Sequence, residues 1–230
     1  MYANGLKRFF DFLIALVALL ILSPFLLLLS LLGAIFMKGN PFFVQPRPGK
    51  GERVFYLLKF RTMSNARDKE GRLLPDEIRL NGYGRFLRST SLDEIPSLIN
   101  ILIGDLALVG PRPQLVRDMV FMTPEQRRRH TVRQGMTGLA QVSGRNAIVW
   151  EDKLAYDLRY IEHITLWGDI KILFRTVACV FRREGITEEG MATAEDFGDY
   201  LLGNGKITKE EYNARQEEAL AILRAAKSKH

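Results

Sequence analysis

Cysteine is almost absent from this chain of 230 residues, where Cys179 stands alone. No internal disulfide can form, so the fold needs no oxidising compartment and its soluble part is expected to face the cytoplasm. Cys179 falls in an apolar helical pattern, which predicts burial. Histidines number only three, and His130 has no second His or Cys at ligand spacing, which argues against a zinc site. The glycine-rich stretch "GMTGLAQVSGRN", residues 135 to 146, matches neither a Walker loop nor a dinucleotide fingerprint. No nucleic-acid-binding motif accompanies the basic residues, so nucleic acid is not an expected partner. No small-residue cleavage site follows the apolar N-terminal run, which is also too long for a signal peptide.

That run is the most prominent feature present. Phe12 to Phe36 contains no charged residue, enough to consider a transmembrane helix. Ser23-Pro24 falls at its middle, however, and positive residues flank both ends, with Lys7 and Arg8 before it and Lys38 after it. Proline removes a backbone donor and kinks a helix. Each arm then holds about 12 residues, or about 18 Å, too short for a hydrocarbon core of roughly 30 Å. The arms fit a hairpin that dips into one leaflet and returns, with the Ser23 hydroxyl helping to satisfy the carbonyls that Pro24 leaves without a donor. A proline-kinked helix that does span stays open as the alternative.

Charge divides the chain. Residues 1 to 186 hold 27 Lys and Arg against 17 Asp and Glu, while residues 187 to 230 hold 6 against 9. The basic body suits an anionic partner: nucleic acid, a phosphorylated small molecule or an anionic leaflet. After Gly39 the chain reads as irregular, and "VFYLLKFRTM" then reads as a strand with Phe55, Leu57, Lys59 and Arg61 on one side. Residues 64 to 82 form a polar surface excursion, a short helix starts near Tyr83, and an apolar run covers Ile95 to Ile103. Gly110-Pro111-Arg112-Pro113 is a rigid turn whose prolines fix φ on either side of Arg112, a geometry suited to holding a phosphate. "PEQRRRHTVR", residues 124 to 133, predicts a basic helix that is either a solvated face or a surface lying on anionic lipid. Helices follow from about Trp150 and from Trp167, the second also suited to a membrane interface. The acidic tail reads as helix, glycine-rich turn and a helix capped by Thr208, a packing or interaction module.

"RSTSLDEIP", residues 88 to 96, sets Asp93 and Glu94 side by side before an apolar run. Ser91 and Glu94 stand three apart, the spacing of a capping box. That reading explains Glu94 and leaves Asp93 without a role. Because Pro96 lacks a donor, a helix starting at Asp93 fits better, with the carboxylate at its positive end.

Together, "KFRTM", "SLDEIPSLINILIGDLALVGPRP" and "GLAQVSGRN" resemble the small monotopic bacterial phosphoglycosyl transferases, the bacterial sugar transferase family, in order from residue 1 to about 194. "MYANGLKRFFD", "GRLLPDEIRL" and "EEGMATAEDF" resemble the member of that family that acts on diacetylated bacillosamine in N-glycosylation pathways. The resemblance implies transfer of a phosphosugar from a UDP-sugar to undecaprenyl phosphate, with release of UMP and a requirement for Mg2+. It implies an aspartyl nucleophile at Asp93 with Glu94 as its partner, both able to hold the ion, a membrane break at Ser23 and Pro24, and a Pro-Arg-Pro motif at Pro111, Arg112 and Pro113. Gln134 departs from the pattern where relatives often carry proline, Leu106-Ala107 replaces a commoner Met-Ser, and the tail exceeds the minimal family. The tail resembles the short helical module called SHOCT.

The expected fold is α+β: a re-entrant membrane helix over residues 1–38, a small and mostly helical catalytic domain with short strands over 39–194, and a helical extension over 195–230. An aspartate attacking a phosphate suffers like-charge repulsion unless cations screen it, and Lys59, Arg61, Arg88, Arg112 and Arg145 are the candidates. The expected site is therefore an anion pocket at headgroup height on the cytoplasmic side of a bacterial inner membrane, with the tail free for a protein partner or self-association. The competing class is a membrane-tethered basic scaffold without catalysis. A transferase that moves a sugar without its phosphate is a second rival, distinguished by releasing UDP.

Overall fold

The computed structural model describes residues 2–144, 148–182 and 195–228. A helical turn over Tyr2–Leu6 precedes α1 (Lys7–Phe36), which is followed by β1 (Phe42–Pro48) and β2 (Val54–Phe60). Short helices α2 (Asp76–Arg79) and α3 (Gly82–Thr90) lead through a 3-10 turn (Leu92–Ser97) into α4 (Leu98–Ile103). Next come β3 (Leu106–Val109), α5 (Val116–Met119), α6 (Pro124–Arg127), a second 3-10 turn (Arg128–Thr131), β4 (Gln134–Thr137) and α7 (Leu139–Val142). The described chain closes with α8 (Trp150–Glu162), α9 (Leu166–Arg182), α10 (Phe197–Gly203) and α11 (Lys209–Lys227). Helices dominate, and two separate two-stranded sheets, β1 with β2 antiparallel and β3 with β4 parallel, supply the strands.

The expected irregular stretch after Gly39 is in fact the strand β1, paired with β2 from Phe42 opposite Phe60 to Pro48 opposite Val54. Pro46 and Pro48 are compatible with a strand here because β1 has β2 on one side only, so their missing donors face no partner strand. Phe55 and Leu57 of β2 enter the main core with Ala15, Leu98, Ile101, Leu106, Val109 and Tyr160.

Helix α1 runs through Ser23-Pro24 as one element of 30 residues, with Pro24 inside it. The local reason is visible. Pro24 cannot donate to the Leu20 carbonyl four residues back, and the Ser23 hydroxyl donates to that carbonyl instead, at 2.9 Å. Both ends of the helix are tied to the same domain. Near its start, Arg8 donates to the Ile101 and Leu102 carbonyls, Asp11 accepts from the Leu108 amide, and Lys7 meets Asp169 at 2.6 Å. Near its end, the Tyr83 hydroxyl donates to the Leu29 carbonyl at 2.7 Å, and Gly33 lies against Pro41. Along the outer face Leu20, Ile21, Leu27 and Ile35 are 63–71% exposed. By length and composition α1 could cross a membrane.

Two other expectations change in part, and of the two roles expected of the tail the structure shows packing. The basic run is a solvated face only in part: Arg128 is exposed and pairs with Glu125, Arg127 pairs with Glu52, and Arg129 and His130 are buried. Cys179 is half-buried. The tail packs on its own domain. Ala219 joins Val116, Met119 and Val120, Phe197 joins Met122, Trp150 and Leu154, and the Phe197 amide donates to buried Asp118. Thr208 caps α11 as its position predicts, accepting from the Glu211 amide.

Three glycines let β4 press on the rigid proline turn. A Cβ on Gly135 would lie 2.1 Å from the Gly110 nitrogen, and one on Gly138 2.0 Å from the Gly110 carbonyl oxygen. Gly135→Ala is expected to cost about 3 kcal/mol of stability, read as a lowered unfolding midpoint. Gly82→Ala, whose Cβ meets no atom within 4 Å, is the neutral control.

Candidate functional site

The site begins with how the 3-10 turn is pinned to β2. Strand β2 pairs with β1 along one edge, and two side chains bind its other edge. Ser97 donates to the Leu58 carbonyl at 2.7 Å, while Asn100 accepts from the Leu58 amide at 2.9 Å and donates to the Tyr56 carbonyl at 2.8 Å. These bonds replace a third strand and fix the turn's register on β2. Lys59, one residue beyond Leu58 and on the Phe55-Leu57 face, then meets Glu94 at 2.7 Å.

Ser91 ends α3 in the left-handed conformation, with φ 56°, and its side chain makes no cap hydrogen bond. The capping box that the sequence allows is not formed, because the Glu94 carboxylate is turned to cations. Its Oε1 accepts from both Lys59 Nζ and Arg112 Nη2 at 2.7 Å. Asp93 is the second residue of the 3-10 turn and does not cap an α-helix. Among the described residues no hydrogen bond reaches its carboxylate.

The two neighbouring carboxyls are driven apart. Burial first, then the charge of Glu94, pushes Asp93 up to about 6, against the pull of Lys59, Arg112 and Arg88. Burial would raise Glu94 too, but the charges and hydrogen bonds of Arg112 and Lys59 outweigh it and hold Glu94 well below the usual carboxylate range. The pair therefore holds one fixed anion and one carboxyl that titrates near neutrality.

Arg112 comes from a turn whose three successive carbonyls are all engaged. Pro111 accepts from the Gly135 amide at 2.8 Å, Arg112 from Arg129 Nη2 at 2.5 Å, and Pro113 from Arg47 Nη1 at 3.0 Å. Arg129 is itself fully buried and bonded twice to Asp157, at 2.9 and 2.7 Å. An open pocket of about 300 Å³, solvent at its mouth included, is lined by Lys59, Glu94, Arg112, Arg47, Leu106 and Met136 among others.

The chain matches the bacterial sugar transferase family over residues 2–183. It belongs to that family. It is 47% identical over 204 residues to the uncharacterized sugar transferase EpsL of Bacillus subtilis, covering 88% of this chain and 98% of that protein. It is 35% identical over 198 residues to the undecaprenyl-phosphate galactose phosphotransferase of Salmonella typhimurium, covering 78% of this chain and 41% of that protein. The UDP-N-acetylgalactosamine-undecaprenyl-phosphate N-acetylgalactosaminephosphotransferase of Aeromonas hydrophila is 34% identical over 183 residues, covering 76% and 43%. This chain thus spans about two-fifths of the length of the latter two.

In this bacterial sugar transferase the structure brings Lys59, Glu94 and Arg112 into direct contact, with Asp93 beside them. Arg88 lies close enough to act on Asp93 and also donates to the Thr62 hydroxyl at 3.1 Å. Arg61 is half-buried, and its backbone amide bonds the Pro41 carbonyl; no side-chain contact draws it into the cluster. Arg145 lies outside the described residues. Sequence reasoning missed three groups, Arg129, Asp157 and Arg47. For Arg47 the signal was present, since Pro46-Arg47-Pro48 repeats the Pro-Arg-Pro pattern of residues 111–113. For Arg129 none was, because a buried arginine inside a charge run looks like its exposed neighbours.

Proposed function

We propose that this transferase moves a phosphosugar from a UDP-sugar to undecaprenyl phosphate and releases UMP, through a covalent aspartyl phosphosugar on Asp93. One observation carries the reading: Glu94 is neutralised by two cations while its neighbour Asp93 is unbonded, beside a cationic pocket. A salt-bridged structural dyad would engage both carboxylates. The names of the Salmonella and Aeromonas relatives agree with a sugar-phosphate donor and an undecaprenyl-phosphate acceptor.

In the first step an Asp93 carboxylate oxygen attacks the phosphorus that bears the sugar, and the bond from that phosphorus to UMP breaks. In the second, an oxygen of the lipid phosphate attacks the same phosphorus and the acyl phosphate bond breaks, which restores Asp93. Splitting the transfer suits a carboxylate nucleophile. Lys59 and Arg112 lower the repulsion between nucleophile and phosphate, and Glu94 keeps both in place. Asp93 and the second Glu94 oxygen are hard donors with no recorded partner among the described residues, so they fit Mg2+, which is commonly held by one or two carboxylates plus phosphate oxygens. Bound there, the ion would supply charge neutralisation at the phosphates.

The same reading makes α1 a shallow anchor in one leaflet of the inner membrane with the domain on the cytoplasmic side. Its support is that both ends of the helix are fastened to one domain, which a helix leaving that domain to cross a bilayer would not allow. The proposed sugar is N-acetylated, on the resemblance to the diacetylbacillosamine transferase. Membranes carrying the protein, given Mg2+, undecaprenyl phosphate and a panel of UDP-sugars, are expected to release UMP with one of them, an N-acetylated amino sugar. Release of UDP would convert the reading to whole-sugar transfer, and release of neither nucleotide would favour a non-catalytic scaffold.

A further inference from the structure

Among the described residues Arg47 is a pocket cation that no carboxylate contacts directly, although Asp118, Glu94 and Asp196 attract it through space. Lys59 and Arg112 share Glu94, whereas Arg47, on β1, bonds only the Pro113 carbonyl at 3.0 Å and the Gln45 side chain at 2.7 Å. A guanidinium carries five N–H donors. Two are used here, and the buried Nε has no hydrogen-bond partner among the described residues. Among the described residues no ion pair reaches it. Burial and the charge of Arg112 lower its pKa to about 10, against the pull of Asp118, Glu94 and Asp196. Of the charged side chains that line the pocket, Arg47, Lys59 and Arg112 are cations and Glu94 is a carboxylate, a lining that favours an anionic ligand.

We propose that Arg47 is a binding residue for the donor's diphosphate, its unused donors engaging phosphate oxygens on the side of the pocket next to Pro113. The naming of the donor rests on the function proposed above; the anion site itself does not. An arginine fork matches phosphate geometry, and the bonds to Pro113 and Gln45 have already restricted its side chain. The Pro46-Arg47-Pro48 and Pro111-Arg112-Pro113 segments would thus supply one arginine each, from two strand ends that meet at the Pro113 carbonyl.

The test uses the full chain in detergent, with Arg47→Gln and Arg47→Lys. Affinity for inorganic pyrophosphate, followed by ligand-induced thermal shift, is expected to fall about tenfold or more in Arg47→Gln and to recover in part in Arg47→Lys. The donor KM should rise by a similar factor while the undecaprenyl phosphate KM stays within about twofold. Ligand-free Arg47→Gln should unfold no lower than the parent chain, because an unpaired buried charge has been removed. Lower ligand-free unfolding temperatures with unchanged pyrophosphate affinity in both variants would make Arg47 a structural tie and overturn the proposal. A rise confined to the lipid acceptor's KM would overturn the assignment to the donor. Weakened pyrophosphate binding in a chain that releases UMP from no UDP-sugar would support the anion site and reject the reaction.

Discussion

Asp93→Asn is expected to abolish UMP release, by roughly a thousandfold or more, and at the same time to raise the unfolding temperature. Both effects come from one carboxyl. Burial beside Glu94 lifts its pKa from the ordinary 3.8 to about 6, so the folded state binds that proton more tightly than the unfolded chain does. Stability from this group is therefore fully present below about 3.8 and is lost as the pH rises through 6. At neutral pH the charged form costs about 1–2 kcal/mol after allowance for solvent screening. Asparagine removes that charge, and a gain of about 2–6 °C follows for a chain of this size. In the parent protein UMP release should climb about tenfold per pH unit until the nucleophile is ionised and then level off, with the break below about 6 once Mg2+ stabilises the carboxylate. Wild-type UMP release from Asp93→Asn would end the covalent mechanism. A lowered unfolding temperature would show that the carboxylate holds the fold together and is not stored strain.

The second large effect lies away from the pocket. Asp157→Ala leaves Arg129 buried with no carboxylate, and loss of one partner of a buried pair costs about 3–5 kcal/mol. Because Arg129 also holds the Arg112 carbonyl, whatever activity survives should show a raised donor KM, as the turn carrying Arg112 loosens. Replacing both partners with apolar residues, Arg129→Met with Asp157→Leu, should cost less stability than Asp157→Ala alone. Denaturant unfolding of these two variants, together with Arg129→Met and Asp157→Leu alone, decides the point. If the double replacement is as costly as the two single effects added together, the pair contributes net stability and the argument from uncompensated charge fails.

Where the sequence was legible, it was legible through local rules. Alternation along β2 put Lys59 on the face that meets Glu94, and two prolines around Arg112 announced a fixed turn before any partner for it was known. The Ser23 hydroxyl was readable as the substitute donor at Pro24, yet its consequence was not, since one local bond does not say whether the helix bends or continues. What stayed hidden depended on distant residues meeting. Nothing within residues 39–48 reveals that they will pair with β2, and a charge run shows no difference between Arg128 on the surface and Arg129 in the interior. In the sequence Gly135 and Gly138 matched neither glycine-rich phosphate-binding pattern and carried no assigned role. Their use is to admit another stretch of backbone, which only the approach of Gly110 reveals.

The way α1 is fastened also has a consequence for the order of events during synthesis. Arg8 finds its acceptors 93 and 94 residues later, and Lys7 and Tyr2 find Asp169 after 162 and 167. At about 5–20 residues per second, the ribosome needs roughly 8–30 s between making the apolar helix and making Asp169. The partners of its later half, Phe60 and Leu87, are made well before those of its start, so for part of that interval the first turns of the helix lack the contacts that hold them in the finished fold. A membrane that took up the helix in this interval would do so before the domain has closed on its first turns, and the domain would assemble around a helix already in place.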